Sequence, residues 1–208
     1  MLQAALNHAH AEGRLLHPIK VTLPANAPPK DRWLTRSEVA RLLLHASPQL
    51  RRFILISVCT GTRASAVLGL RWQPSLDAGW IDVERGILHR RGERERETKK
   101  RRGAVRMPRP LRLHVERWAR AGGSSVVSYR SHRSMHKAWR AACQRAGVED
   151  ATPHTLKHTA VTWFFQRGGS REDATDYFDT TAQTLERVYR QHSPDHQSRA
   201  VEIMGRRR

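Results

Sequence analysis

The segment Thr60-Gly-Thr-Arg63, running on into Ala66-Val-Leu-Gly-Leu70 and Arg71-Trp72, is a glycine turn set between two apolar runs. The run before it, Phe53-Ile-Leu-Ile-Ser-Val-Cys59, is apolar nearly all round, which predicts a helix at the centre of the core. Pro48 suits the first turn of that helix. The run after the turn predicts a further helix over 64–71. A glycine turn that opens a helix presents backbone N–H groups and, here, Arg63 where a phosphate can bind. Taken alone, an Arg near a helix start is ordinarily a surface charge.

Working back from this segment, Thr35 and Glu38 fit a capping box. Val39, Leu42, Leu43 and Ala46 follow at helical spacing. Residues 2–15 read as one helix with Leu2, Ala5, Leu6 and Ala9 on a face, and 17–30, with Pro18, Pro24, Pro28 and Pro29, as an extended linker. Working forward, Trp80-Ile-Asp-Val83, Ile87-Leu-His-Arg90 and Ala104-Val-Arg-Met107 are short β-like runs, with Glu84-Arg-Gly86 as a tight turn between the first two. Between the last two lies a charged hairpin tip over 91–103. Helices resume through Leu111, Val115 and Trp118; Met135, Ala138, Trp139 and Ala142; Leu156, Ala160, Trp163 and Phe164; a segment capped by Ser170; and Leu185, Val188 and Tyr189. The fold class is mainly α with one small antiparallel β-sheet, an α+β domain over 31–208, and no internal repeat is visible.

Composition narrows the partners. The 208 residues hold 38 Lys and Arg against 19 Asp and Glu, a formal charge of +19, so a polyanion is expected and nucleic acid before other polyanions. Hydrophobic residues make up 38%, enough to argue against wholesale disorder. Cys59 and Cys143 both fall in apolar helical patterns and read as buried free thiols of a reducing compartment, without a zinc-ligand pair. No run approaches the roughly 18 apolar residues of a membrane span, and Met1–Leu15 lacks the apolar stretch of a signal peptide. The expected location is the cytoplasm.

Three further segments carry potential chemistry. Lys99 and Lys100 sit on the hairpin tip, where a Lys can reach into a DNA groove and donate a proton, although a plain surface lysine is the default. In Thr152-Pro-His-Thr-Leu-Lys-His158, the two His are four apart, but Thr155 stands where a zinc protease needs Glu and no third ligand is evident, so no metal is expected. Thr184-Leu-Glu-Arg-Val-Tyr189 precedes Arg190-Gln-His-Ser-Pro194; alone, Tyr189 reads as a packing residue one turn from Leu185.

Taken together and in this order, the segments over roughly 31–196 resemble the catalytic domain of the tyrosine recombinases, the family of phage integrases and chromosome-dimer resolvases. That family shows an Arg after a Thr-Gly turn, a Lys on a β-hairpin, a His-x-x-Arg motif opening a helix, a Gly-His or Gly-Trp pair, and a nucleophilic Tyr about nine residues later. Arg63, Lys100 (or Lys99), His154 and Tyr189 hold family positions. Lys157 stands in place of the motif's Arg, and the Gly-His pair falls on Asp179-Thr180. The opening helix and linker over 1–30 are similar to the end of the family's core-binding domain, whose earlier helices are absent from the chain.

The resemblance implies a metal-free and cofactor-free enzyme acting on double-stranded DNA from a phage or other mobile element, with self-association on the DNA. Tyr189 would attack a phosphodiester to give a 3′-phosphotyrosyl bond; Arg63 would clamp the non-bridging oxygens; Lys100 (or Lys99) would protonate the leaving 5′-oxygen; His154 would assist proton transfer. Lys99, Lys100, Arg101, Arg102 and Arg71 are the expected DNA contacts. Lys157 keeps a charge but loses the planar fork of Arg. Thr180 offers one hydroxyl in place of an imidazole. Asp179 brings a negative charge that should repel phosphate unless it turns away or pairs with a cation. Each substitution implies a rate cost on the order of 10²-fold. Two readings follow: a strand-exchanging recombinase, possible impairment included, and a noncatalytic DNA-binding protein or decayed fragment on the same scaffold. With a single opening helix in place of a second clamp domain, binding on the order of micromolar or weaker is expected at physiological salt.

Overall fold

The computed structural model describes residues 2–22, 32–95, 102–129, 131–189 and 205. The chain divides into two compact units, 1–30 and 31–208. In the first, helix α1 (Leu2–Ala11) is shorter than the 2–15 read from the sequence. Gly13, at φ +71°, turns the chain left-handed, and the Arg14 N–H closes the end on the Ala9 carbonyl at 2.9 Å. Gln3 then fastens the following segment, donating to the Ile19 carbonyl at 2.9 Å and accepting from the Val21 N–H at 2.7 Å.

The second unit runs α2 (Arg36–His45), α3 (Pro48–Thr60), α4 (Ala64–Gly69), β1 (Trp80–Asp82), β2 (Ile87–His89), β3 (Ala104–Arg106), α5 (Arg109–Arg120), α6 (His132–Ala146), α7 (Thr155–Phe165), α8 (Arg171–Tyr177) and α9 (Ala182–Tyr189). The capping box at Thr35 and Glu38 is complete, and Arg32 pairs with Glu38, holding its carboxyl down at about 2. Ser47 caps α3 with Pro48 in its first turn. Ser170 caps α8.

Helix α3 is central, with Leu50, Phe53, Ile54 and Ile56 almost wholly buried. It packs on α7, while α2 packs on α6 through Leu42, Met135 and Trp139. The three strands form one antiparallel sheet in the order β1-β2-β3, with Leu88 facing Ile81 on one side and Val105 on the other. All three side chains are buried in the main core. A second, smaller core joins α7, α8 and α9 through Val161, Phe165, Ala174, Phe178 and Leu185.

Helix α4 stops at Gly69, two residues short of the predicted 71, because the chain there joins the edge of the sheet. The Arg71 N–H donates to the Gly79 carbonyl at 2.9 Å, and the Leu70 carbonyl accepts from Val126 at 3.0 Å. Cys143 is buried and Cys59 is half-buried; both are free. Among the described residues no helix is long and apolar enough to cross a membrane.

The glycine turn joins the two cores. Gly61 ends α3 in the left-handed conformation, φ +62°, and its N–H donates to the Ser57 carbonyl at 2.8 Å. A Cβ placed there would lie 2.4 Å from the Phe178 ring. Gly61 is therefore required twice, for backbone angle and for space. Gly61→Ala is expected to destabilise the fold by about 2 kcal/mol or more, measured as a lowered urea midpoint; an unchanged midpoint would refute the contact between the turn and Phe178.

Candidate active site

Along β2 the side chains alternate: Leu88 points into the core and His89 lies against Trp80 in a stack at 4.1 Å; Arg90, just past the strand's end, is buried again. Arg90 is only 5% exposed. Its guanidinium reaches two parts of the chain. Toward the glycine turn, Nε donates to Thr62 Oγ1 at 3.1 Å and Nη2 to the Thr60 carbonyl at 2.9 Å. Toward the end of α8, Nη2 donates to the Tyr177 carbonyl at 2.7 Å and Nη1 to Asp179 Oδ2 at 2.6 Å. Burial pushes the Arg90 pKa down and Asp179 pushes it back up. A guanidinium so placed stays charged at neutral pH.

Asp179 follows α8 in the left-handed region, φ +48°. The oxygen that takes the Arg90 bond also accepts the Gly103 N–H at 2.9 Å, tying the start of the returning hairpin strand to the α8–α9 turn. The neighbouring Phe178 carbonyl accepts from the Thr180 hydroxyl at 3.1 Å and from Lys157 Nζ at 2.8 Å. Lys157 is buried, and its pKa is pushed down to about 7, first by desolvation and then by Arg63 and Arg90, with Asp179 opposing. Arg63 occupies the N-cap position of α4, after the glycine turn; burial lowers its pKa most, Asp179 raises it and Arg102 lowers it. Arg102 pairs with Glu95. Four cations, Arg63, Arg90, Arg102 and Lys157, are thus gathered with the carboxylates of Asp179 and Glu95, an arrangement with surplus positive charge suited to an anion such as phosphate.

Of the outcomes expected for Asp179, pairing with a cation is the one found: it is the counter-ion of Arg90. Thr180 spends its hydroxyl hydrogen on the Phe178 carbonyl. Lys157 points its ammonium at that same carbonyl. His154 is the exposed N-cap of α7, one turn before Lys157, and its ring meets that of His158 edge to face at 4.9 Å. Among the described residues no group of three or more His, Cys, Asp or Glu could hold a metal ion. Arg71 is engaged with Ser125 Oγ at 3.1 Å. Lys99, Lys100 and Arg101 lie outside the described residues. So does the side chain of Tyr189, the last residue of α9; that helix is anchored one turn earlier by Leu185, which is 1% exposed in the smaller core.

The sequence reading missed Arg90. A signal lay in the β-like run Ile87-Leu-His-Arg90: continued alternation puts Arg90 on the same side as Leu88, and a cation on a core face needs an acidic partner. It also missed the outer face of α6, where His132, Arg133, His136, Lys137 and Arg140 are all exposed. Those positions recur at helical spacing and form a basic stripe.

The fold is that of an integrase catalytic domain. The catalytic domain of bacteriophage HP1 integrase superposes with a TM-score of 0.61 at 19% identity, covering 82% of this chain and 94% of that one. The integrase of transposon Tn1549, in complex with a circular intermediate DNA, superposes with a TM-score of 0.67 at 14% identity, covering 97% and 76%. The chain belongs to the phage integrase family, whose profile matches residues 32–196. The integrase of Salmonella phage P22 is 29% identical over 183 residues, which span 80% of this chain and 46% of that protein. The chain therefore spans about half the length of this curated relative.

Lys157 gives the site a pH signature. Below about pH 7 its ammonium is charged in both folded and unfolded chains, and the cost of burying it is fully present. Between about 7 and the ordinary value of 10.5 the unfolded chain holds a proton that the folded chain has released, so stability rises with pH across that window. Lys157→Met removes the buried charge, and Thr180 still donates to the Phe178 carbonyl. The variant is expected to be more stable than the parent below pH 7, with the gap in urea midpoint shrinking toward pH 10. A gap independent of pH would show that Lys157 is not buried as a cation.

Proposed function

We propose that this chain carries the strand-cleaving half of a site-specific DNA recombinase or integrase. The observation that carries the reading is the convergence of Arg63, Lys157, Arg90 and Arg102 beside the α8–α9 turn, in a member of the phage integrase family. Double-stranded DNA is the substrate, and the charge of +19 supplies the attraction that brings it. The exposed basic stripe of α6 offers further phosphate contacts.

In this reading the Tyr189 oxygen attacks phosphorus and forms a 3′-phosphotyrosyl bond, while the bond from phosphorus to the 5′-oxygen breaks. Lys100, or Lys99, gives that leaving oxygen its proton. Arg63 stabilises the charge on the non-bridging oxygens as the transition state forms, and His154 hydrogen-bonds the phosphate or moves a proton. The phosphotyrosyl link stores the energy of the broken bond. A 5′-hydroxyl from another strand then reverses the step and rejoins DNA without a nucleotide cofactor. Protomers assemble on the DNA so that strands can be exchanged, and the work is done in the cytoplasm.

A second reading, a noncatalytic DNA binder, draws support from the bonds already made by three of the cations. Lys157 is bound to the Phe178 carbonyl, Arg90 to Asp179 and Arg102 to Glu95, so none of these is an uncommitted phosphate ligand. A covalent-trapping assay separates the two. Nicked suicide duplexes drawn from DNA flanking the gene are incubated with the chain, and a protein–DNA band that survives SDS is sought. The enzyme reading expects a band that Tyr189→Phe abolishes and that Lys157→Arg strengthens by about tenfold or more. Salt-sensitive DNA binding that is indifferent to Tyr189→Phe, with no band, would establish the binder instead.

A further inference from the structure

We propose that Arg90 and Asp179 are a positioning pair that sets Arg63 and the hairpin base relative to the α8–α9 turn, a role that rests on the strand-cleavage reading above. The pair joins three segments distant in sequence. Arg90 takes the Thr60 carbonyl and the Thr62 hydroxyl, the two residues that flank Gly61 and lead directly into Arg63. It takes the Tyr177 carbonyl and the Asp179 carboxylate on the far side. Asp179 in turn holds the Gly103 N–H, just before β3 and three residues after Lys100 in the sequence. Through Arg90, one carboxylate oxygen therefore ties the segment that leads into Arg63 to the start of β3.

The chemistry of the two groups suits this role and not direct contact with DNA. Arg90 is 5% exposed, and its Nε, Nη1 and Nη2 are all occupied by acceptors of the protein. Asp179 is negative and its side chain is 11% exposed, so it cannot contact a phosphate favourably. What the pair supplies is geometry. A planar fork bonds acceptors in fixed directions, which an ammonium cannot reproduce. Shifts of about 1 Å at a clamp of this kind slow a reaction about 10²-fold while leaving ground-state binding largely intact.

The test compares the full chain with Asp179→Asn, Asp179→Ala and Arg90→Lys. Two quantities are measured: the rate of covalent adduct formation at saturating nicked duplex, and the Kd for the same duplex. Asp179→Ala and Arg90→Lys are expected to slow the adduct about 100-fold with Kd changed less than threefold. Asp179→Asn retains an acceptor for Gly103 and is expected to recover to within tenfold of the parent. Rate and Kd falling together in all three variants, in step with the unfolded fraction, would overturn the proposal in favour of plain stability.

A second arm needs no cleavage. In nitrogen-15 spectra of the free chain, Asp179→Ala is expected to speed exchange of the Gly103 amide and to move the Arg63 Nε resonance, whereas Asp179→Asn moves both less. Should the parent form no adduct, the cleavage reading fails and this arm alone decides the positioning. Unchanged Gly103 and Arg63 signals in Asp179→Ala would overturn the pair's role whatever the adduct assay gives.

Discussion

A guanidinium removed from water must find acceptors for its N–H groups and an anion for its charge, since leaving a buried ion uncompensated costs about 3–5 kcal/mol. Arg90 meets both demands with groups from separate parts of the chain: two from the glycine turn after α3, one carbonyl from the end of α8, and the Asp179 carboxylate beyond it. The requirement runs in both directions. Because Arg90 enters from the end of β2, the sheet is fastened to the helices at the same point where α3, α4 and α8 meet. Phe178, packed on the face of Gly61, seals that junction from the apolar side.

The resemblance implies that Asp179 stands where the family carries the glycine of its Gly-His pair. The backbone here has φ +48°, a region that glycine enters freely and Asp or Asn tolerates better than other residues. The chain accepts that backbone cost and gains a carboxylate at the centre of a cationic site. Viewed as a phosphate ligand, the substitution is damaging. Viewed as the counter-ion of Arg90 and the acceptor for Gly103, it stabilises the framework on which Arg63 stands.

The parts of the fold that could be read from the sequence were those set by local rules. The capping box at Thr35, the Pro48 helix start, the Ser170 cap and the three strands each follow from spacing within a few residues. Boundaries shifted where a distant segment intervened, as at Arg71, whose N–H goes to Gly79 instead of back into a helix. The resemblance implied Arg63, Lys157 and Thr180 as neighbours, but the wiring between them was not legible, because the partners that decide their states lie far off in sequence: Phe178 for Lys157, and Asp179 for Arg90. A two-residue period continued over Ile87-Leu-His-Arg90 puts Arg90 on the side of Leu88, although the structure ends β2 at His89 and the charged run that follows hides that end.

The electrostatics of the site favour redistribution of charge over its loss. With Lys157 committed to a carbonyl and titrating near neutrality, the dependable positive charge rests on guanidinium groups, which do not deprotonate at any physiological pH. Arg90 neutralises Asp179, so the carboxylate does not cancel the field of Arg63. On the strand-cleavage reading, removing the Asp179 charge therefore has two unequal effects: a small gain in net positive potential, and a less fixed clamp. Affinity would change little with the first, and rate would fall with the second. That divergence is what separates a site organised for chemistry from a basic surface that merely holds DNA, for which charge is all that counts.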